Sequence, residues 1–301
     1  MLRLPAFAKI NLSLRILGKR IDGLHEICTT FQTISLCDFL TFEPASGISL
    51  SCDAAGIPVD ASNLIARAAN SLRERFKVSA GAKIRLEKRI PSPGGLGGGS
   101  SNAAITLLAL TRFWNLRATR SDIIQIAQTL GADVPFFLLG GTVFATGTGM
   151  TLEALPDLPA KLMIIVTPPE RVPTAEAYQA FSAPSLTEAN PLDILAICRS
   201  ARINHENSYR TFINDFENTI FARKPVIERV RDQLLEFGAS AALMCGSGAS
   251  VFGIFDNETT RKAALNGLRQ LKNDWRVFSG ETVSQTEYRR ALAPCWDLPD
   301  N

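Results

Sequence analysis

Residues Pro91–Ser101 read PSPGGLGGGSS and run without a break into Asn102–Leu110, NAAITLLAL. Gly94, Gly95, Gly97, Gly98 and Gly99 are five of the chain's 21 glycines, gathered into six positions. Glycine turns at positive φ and lets backbone N–H groups approach a ligand with no side chain in the way. The apolar run that follows reads as a helix, whose first turn offers unpaired N–H donors and the positive end of its dipole. Ser100 and Ser101 add hydroxyls suited to a phosphate or a Mg²⁺ ion, and Pro91, Ser92, Pro93 and Leu96 complete the loop. The stretch is therefore expected to cradle phosphate. It is not a Walker A loop, which needs a Lys, because none lies between Arg89 and Arg112. Nor is it a dinucleotide fingerprint, since the βαβ context and the downstream acidic residue are missing. A flexible linker is the plain alternative, but linkers seldom run straight into so apolar a helix.

The surroundings of this loop narrow the class. A chain of 301 residues suits two domains of ordinary size, and 46% hydrophobic with 20% charged residues excludes global disorder. The net charge of +3 is scattered along the chain, which argues against a nucleic-acid-binding face. Six cysteines, at 28, 37, 52, 198, 245 and 295, form no CxxC pair, and His25 and His205 are the only histidines. No grouping for a structural zinc is visible. A chain this long needs no disulfide staples, so the thiols are read as reduced and the protein as cytoplasmic. Arg3, Lys9 and Arg15 break up any signal-peptide core. Three uncharged windows, Ile90–Thr111, Val134–Leu152 and Phe237–Phe255, are long enough to mimic membrane spans. Each is interrupted by Gly with Ser, Thr or Pro, so no membrane span is expected, and all three are read as places where backbone meets ligand.

Strand patterns dominate the first hundred residues. Alternation in Lys9–Leu17 puts Ile10, Leu12, Leu14 and Ile16 on one face, and Phe31–Leu36, Phe39–Phe42, Ile48–Cys52 and Ala82–Leu86 read similarly. Helices are expected over Leu64–Phe76, capped by Asn63, over Ser101–Trp114, and over Asp122–Leu130, opened by Ser121. Phe144–Leu155 returns to strand character, with turns at Gly147 and Gly149. The Pro-rich Leu155–Pro159 marks the expected domain boundary, giving 1–157 and 158–301. Beyond it come a strand at Leu162–Val166 and helices near Thr174–Phe181, Leu192–Arg199 and Val226–Phe237. A strand pair around Met244–Phe255, a helix over Glu258–Leu271 and a strand near Trp275–Gly280 follow, with a frayed tail after Ala293. Strands and helices without strict alternation imply an α+β fold in both halves.

Two further segments carry chemistry. In Leu130–Pro135 (LGADVP), Asp133 is the only acidic residue between Asp122 and Glu153. A carboxylate among apolar neighbours must be solvated, hydrogen-bonded or paired with a cation. It reads either as a turn residue before Pro135 or as a general base beside a Lys. The candidate partner is Lys9 in Ala6–Asn11 (AFAKIN), which otherwise simply faces solvent; Asn11, two residues on, shares its face. Gly246–Ser247–Gly248, between two apolar stretches, is either a hairpin turn alone or a second wall of the anion pocket.

These segments together resemble the GHMP kinase superfamily, and within it the branch acting on a cytidyl diphosphate polyol. The resemblance rests on Ala8-Lys-Ile-Asn11, Asp22-Gly-Leu-His25, Gly95-Leu-Gly-Gly-Gly-Ser-Ser-Asn-Ala-Ala104, Leu130–Pro135 and Gly246–Ser250, and runs from residue 6 to about 285. It implies a ribosomal-protein-like α+β N-terminal domain with a left-handed crossover, against the general right-handed rule, and a ferredoxin-like C-terminal domain. ATP with Mg²⁺ and a small-molecule substrate would meet between them. The same resemblance implies that Asp133 takes the proton of the acceptor hydroxyl, with Lys9 beside it. Residues 91–101 would wrap the triphosphate, with Ser100 near Mg²⁺ and Asn63, Leu64 and Lys88 on the nucleotide side. Asn11, Thr174, Gly246 and Ser247 would face the substrate, and His25 would read the cytosine edge. Tyr178 would supply an aromatic wall, while Leu24 stands where an aromatic is usual, so stacking would be one-sided. Pro93 stands where Gly or Ala is usual and should stiffen the loop. The enzymatic alternative is a homoserine- or mevalonate-type kinase, which the Asp22–His25 segment disfavours. A nucleotide-binding module without catalysis is disfavoured by the presence of both Lys9 and Asp133.

Overall fold

The computed structural model describes residues 1–181, 196–199, 202, 212–271 and 274–296. β1 (Leu2–Lys19) runs antiparallel to β2 (His25–Ala45), and three register shifts bend the long pair. The C-terminal half of β2 pairs with β4 (Gly81–Glu87), which carries β3 (Ile48–Cys52) in parallel. Its N-terminal half pairs with β5 (Thr142–Gly147), which carries β6 (Thr151–Ala154). On the other side of β1, the two residues of β8 (Ile213–Asn214) pair in parallel with Ser13 and Leu14.

The second sheet contains β7 (Leu162–Thr167), β9 (Ala241–Met244), β10 (Val251–Phe255) and β11 (Arg276–Glu281). Its order is β11-β7-β10-β9 with every neighbour antiparallel, and helices follow the first and third strands in chain order. That is the expected ferredoxin-like arrangement, and the α+β class holds for both halves.

Around the first sheet lie α1 (Leu64–Phe76), α2 (Gly98–Phe113), α3 (Arg120–Leu130) and a 3-10 turn at Pro135–Leu138. α4 (Thr174–Ala180), α5 (Phe216–Arg223), α6 (Pro225–Glu236) and α7 (Glu258–Gln270) accompany the second. α8 (Gln285–Ala291) and α9 (Ala293–Trp296) return to the first sheet, where Tyr288, Leu292 and Cys295 join its core. Up to Trp296 the chain beyond Ala293 is thus a short helix rather than frayed, because it covers apolar surface beside α2, and residues 297–301 lie outside the described residues. Of the helix expected over Leu192–Arg199, residues 196–199 are helical, and the rest lies outside the described residues.

Asn63 caps α1 as expected, its Oδ1 accepting from the Ile65 N–H at 2.9 Å. The cap of α3 is Thr119 rather than Ser121. Thr119 and Asp122 satisfy each other's backbone donors in a capping box, two residues earlier than the sequence reading. α2 is buried almost all round and runs through the middle of its layer, which its uniformly apolar sequence demands.

The face of β1 carrying Ile10, Leu12, Leu14 and Ile16 turns toward the second sheet. Ala8, Ile10 and Leu12 pack with Met163, Ile165, Phe252 and Ile254 in a core between the sheets. Leu14 and Ile16 join the core beneath the second sheet. The opposite face therefore presents Lys9 and Asn11. Among the described residues no helix is long and apolar enough to cross a membrane. The uncharged window Val134–Leu152 meets protein, not the cleft described below. A Cβ on Gly141 would fall 2.7 Å from Gln285 Cβ, and one on Gly140 would strike the Tyr288 ring.

Candidate active site

Lys9 and Asn11 stand two residues apart on β1, so the strand's period places them side by side. Lys9 Nζ donates to Asn11 Oδ1 at 2.8 Å and lies 3.5 Å from Asp133 Oδ2. The Lys9 side chain is 5% exposed and that of Asp133 35%, so the carboxylate keeps an open side. Asn11 in turn donates through Nδ2 to Thr29 Oγ1 at 2.8 Å, which fixes its amide orientation. Phe31 forms an apolar floor, its ring centroid 5.1 Å from Lys9 Nζ.

The glycine loop closes over this group. The Lys9 N–H donates to Leu96 O at 3.0 Å, tying the loop to β1. Gly97, at φ +70°, precedes the first turn of α2, and a Cβ there would press on Phe137 and on Lys9 Cγ at 2.9 and 3.0 Å. Gly95, at φ +73°, passes so close to the Cys245 carbonyl that any side chain would collide with backbone. Loop and β9–β10 turn are thus in contact, and the Ser250 N–H donates to Gly94 O at 3.3 Å. Gly246–Ser247–Gly248 is both a hairpin turn and a wall of the cleft. Asn214 holds it, donating to Met244 O at 2.9 Å and Gly246 O at 2.7 Å.

The resulting cleft, of about 290 Å³, is lined by Lys9, Asn11, Leu64, residues 91–100, Asp133, Thr174, Tyr178, Gly246 and Ser247, all anticipated. Thr174 Oγ1 and Ser247 Oγ are 3.1 Å apart. Tyr178 stands edge-on to Phe216 and stacks on His25 with centroids 4.9 Å apart at 29°. Burial pushes the Tyr178 hydroxyl up to about 12, and the charge of Asp133 adds to the effect. Burial likewise holds the His25 imidazole below its ordinary value, with the Lys19 charge acting in the same direction. Donors facing the cleft are oxygens and amides, whereas the nearby Cys245 thiol is buried, pushed up to about 12. Such a set suits a hard ion carried on phosphate oxygens rather than a soft metal.

Five anticipated residues do not line the cleft. Ser101 is fully buried, because one residue beyond Ser100 the helix has turned by about 100°. The Lys88 ammonium is taken up by Asp38 at 2.8 Å, and burial lowers its pKa more than that carboxylate raises it. Asn63 is occupied in capping α1 and in donating to Pro58 O at 2.6 Å. His25 sits behind Tyr178 at the rim, and Leu24 is 54% exposed at the tip of the β1–β2 hairpin. Sequence reading missed Leu14, Ile27, Phe31 and Phe216 in the lining, and Asn214 and Asp38 behind it. The first four carry no signal beyond apolarity. Asn214 and Asp38 are polar residues within apolar pattern, a signal that could have been followed.

Residues 63–141 match the family described as GHMP kinases N terminal domain, and residues 186–274 that described as GHMP kinases C terminal. A 4-diphosphocytidyl-2-C-methyl-D-erythritol kinase of Prosthecochloris aestuarii is 41% identical over 87% of this chain and 92% of its own length. The enzyme of that name from Methylococcus capsulatus is 42% identical over 94% of this chain and 92% of its own. A crystal structure of 4-(cytidine 5'-diphospho)-2C-methyl-D-erythritol kinase superposes with a TM-score of 0.75 at 34% identity, covering 93% of this chain and 99% of that one. Homoserine kinase from Cytophaga hutchinsonii shares the fold, with a TM-score of 0.67 at 17% identity over 94% of this chain and 95% of its own.

Proposed function

This chain belongs to the 4-diphosphocytidyl-2-C-methyl-D-erythritol kinase family of GHMP kinases, and from that membership we propose that it phosphorylates the 2-hydroxyl of 4-diphosphocytidyl-2-C-methyl-D-erythritol with ATP. The reaction is a step in making isoprenoid precursors by the non-mevalonate route. The observation that carries the mechanism is the Lys9–Asp133 pair, 3.5 Å apart, facing the glycine loop across one cleft.

Phosphoryl transfer asks mainly for positioning and charge neutralisation. Residues 91–100 offer backbone donors and the start of α2 to the triphosphate. Asp133 accepts the proton of the acceptor hydroxyl as its oxygen bonds to the γ-phosphorus and the bond to the β,γ-bridging oxygen breaks. ADP leaves, and the proton passes to solvent through the open side of Asp133. Lys9 steadies the Asp133 carboxylate and the negative charge gathering beside it, and Asn11 holds Lys9 in place. The Ser100 hydroxyl would help hold Mg²⁺ brought in on the triphosphate. When bound, that ion neutralises phosphate charge.

At the far end, Tyr178 supplies the aromatic wall for the cytosine; His25, stacked on that ring, and Leu24, at the hairpin tip, would reach the base only by moving in from the rim, His25 to its edge and Leu24 as apolar contact. Thr174 and Ser247 face the linking diphosphate. Residues 1–157 carry the phosphate loop and catalytic pair, and 158–301 complete the substrate wall. Six unpaired thiols and small charged substrates suit the cytoplasm. A homoserine or mevalonate substrate is disfavoured because the likeness to those kinases extends to the fold alone.

The test is Asp133→Ala, assayed for turnover and for equilibrium binding of an ATP analogue. General-base catalysis contributes about 10²–10⁴-fold, so turnover falls by at least that factor while affinity stays within a few fold. Near-normal turnover refutes the base assignment. Failure of the unaltered protein to phosphorylate the cytidyl substrate refutes the function.

A further inference from the structure

Asp38 lies on β2, fully buried and outside the cleft lining, yet its carboxylate accepts four hydrogen bonds from the flanks of the glycine loop. Oδ1 accepts from the Arg89 and Ile90 N–H groups, each at 2.7 Å. Oδ2 accepts from Lys88 Nζ at 2.8 Å and from Asn102 Nδ2 at 3.1 Å. Residues 88–90 lead into the loop, and Asn102 stands in the helix that receives it. One side chain therefore grips both ends of the segment between them. Lys88 extends the grip, since its Nζ also donates to Ile90 O and lies 3.1 Å from where a Cβ on Gly98 would stand.

The tip of the loop is held differently. Single backbone hydrogen bonds, Lys9 N–H to Leu96 O and Ser250 N–H to Gly94 O, and the Leu96 side chain buried in the core between the sheets hold it, with no ionised acceptor among them. Hydrogen bonds to a charged acceptor are about twice as strong as neutral ones, so the stronger polar anchorage is at the base. A buried carboxylate is costly unless fully satisfied, and here satisfaction comes from the two flanks.

We propose that Asp38 is a positioning residue for phosphoryl transfer, setting the distance between the two ends of loop 91–101 so that the amides opening α2 stay aimed into the cleft. This rests on reading that loop as the seat of the triphosphate. Asp38→Asn keeps the shape and removes the charge. It is expected to raise the KM for ATP about tenfold, equivalent to about 1.4 kcal/mol. The KM for the cytidyl substrate stays within about twofold, and amide hydrogen exchange over residues 94–100 of the full chain accelerates. Asn102→Ala removes one donor, leaves the Lys88–Asp38 pair, and shifts the same readouts less.

If Asp38→Asn fails to fold, Asn102→Ala and the double variant Asp38→Asn/Lys88→Met carry the same measurements. Folded variants with unchanged ATP KM and unchanged exchange over 94–100 overturn the proposal, and so does an equal rise in both KM values. Exchange is read without turnover. Should the unaltered protein not phosphorylate the cytidyl substrate, the functional reading falls while the exchange data still decide whether Asp38 clamps the loop.

Discussion

Tyr178 meets three chemistries at once: it stacks on His25, stands edge-on to Phe216, and feels the charge of Asp133. Stacking of an aromatic on a base is worth about 1–3 kcal/mol, so Tyr178→Ala should raise the KM for the cytidyl substrate about 5- to 150-fold. The KM for ATP should change far less, and steady-state kinetics with each substrate varied in turn separates the two. Equal effects on both remove Tyr178 from the cytosine wall. His25 gives a pH-dependent counterpart. Burial and Lys19 keep its imidazole neutral to lower pH than the ordinary 6.5, so in the proposed role it would meet cytosine uncharged at neutral pH. Cytidyl affinity is therefore expected to hold through pH 6.5 and weaken only as pH falls through the lowered value. His25→Gln should flatten that limb relative to the unaltered protein, and a limb that persists assigns the titration elsewhere. At this scale the sequence was most legible where residues cluster by chemistry, as with Lys9, Asn11 and Asp133. It was least legible at Asp38 and Asn214, single polar residues whose partners, backbone groups among them, are distant in sequence.

The glycine loop and α2 work as one element, and glycines within it are not equivalent. Gly95 has positive φ, and a Cβ would meet the Cys245 backbone. A non-glycine residue in such a conformation costs about 1–3 kcal/mol before any collision, so Gly95→Ala should lower Tm and raise the ATP KM together. Gly99 has a helical backbone, and its added Cβ would find only Leu64 Cδ1 at 3.7 Å. Gly99→Ala should instead stabilise by about 0.4–1 kcal/mol through the unfolded state, read as a rise in Tm. If both variants shift Tm alike, the loop is not held against the β9–β10 turn as described. The boundaries of α1 and the apolar body of α2 could be read directly, since capping and periodicity are local. The full lengths of β1 and β2 could not. Both are buried over most of their length, which erases the alternation that marks a half-exposed strand, and Cys37–Asp38 interrupts the apolar pattern of β2. α5 and α8 escaped notice because each is about two turns long, too short for a helical period to stand out.

Across the molecule, the two sheets are joined by contacts that no local pattern announces. β8, from the second half, pairs with β1, and Asn214 at its end holds the turn that touches the glycine loop. From the C-terminal end, Tyr288 is fully buried and donates from its hydroxyl to Phe137 O at 2.6 Å. Phe137 in turn is the ring that a side chain on Gly97 would strike, so α8 braces the loop through a single intervening residue. With the core of Ala8, Ile10, Leu12, Met163, Ile165, Phe252 and Ile254 shared between the sheets, neither half can open without exposing the other's apolar face. Unfolding is therefore expected as one cooperative transition, with calorimetric and van't Hoff enthalpies equal. Tyr288→Ala leaves a cavity worth about 3–5 kcal/mol and should lower that single Tm, carrying the second sheet down with the first. Tyr288→Phe keeps the ring but strands the Phe137 carbonyl, costing about 1–3 kcal/mol. Scanning calorimetry of both variants decides the matter. A second transition near the original temperature in Tyr288→Ala would mean that the shared core does not couple the halves, and that the brace on the loop is local.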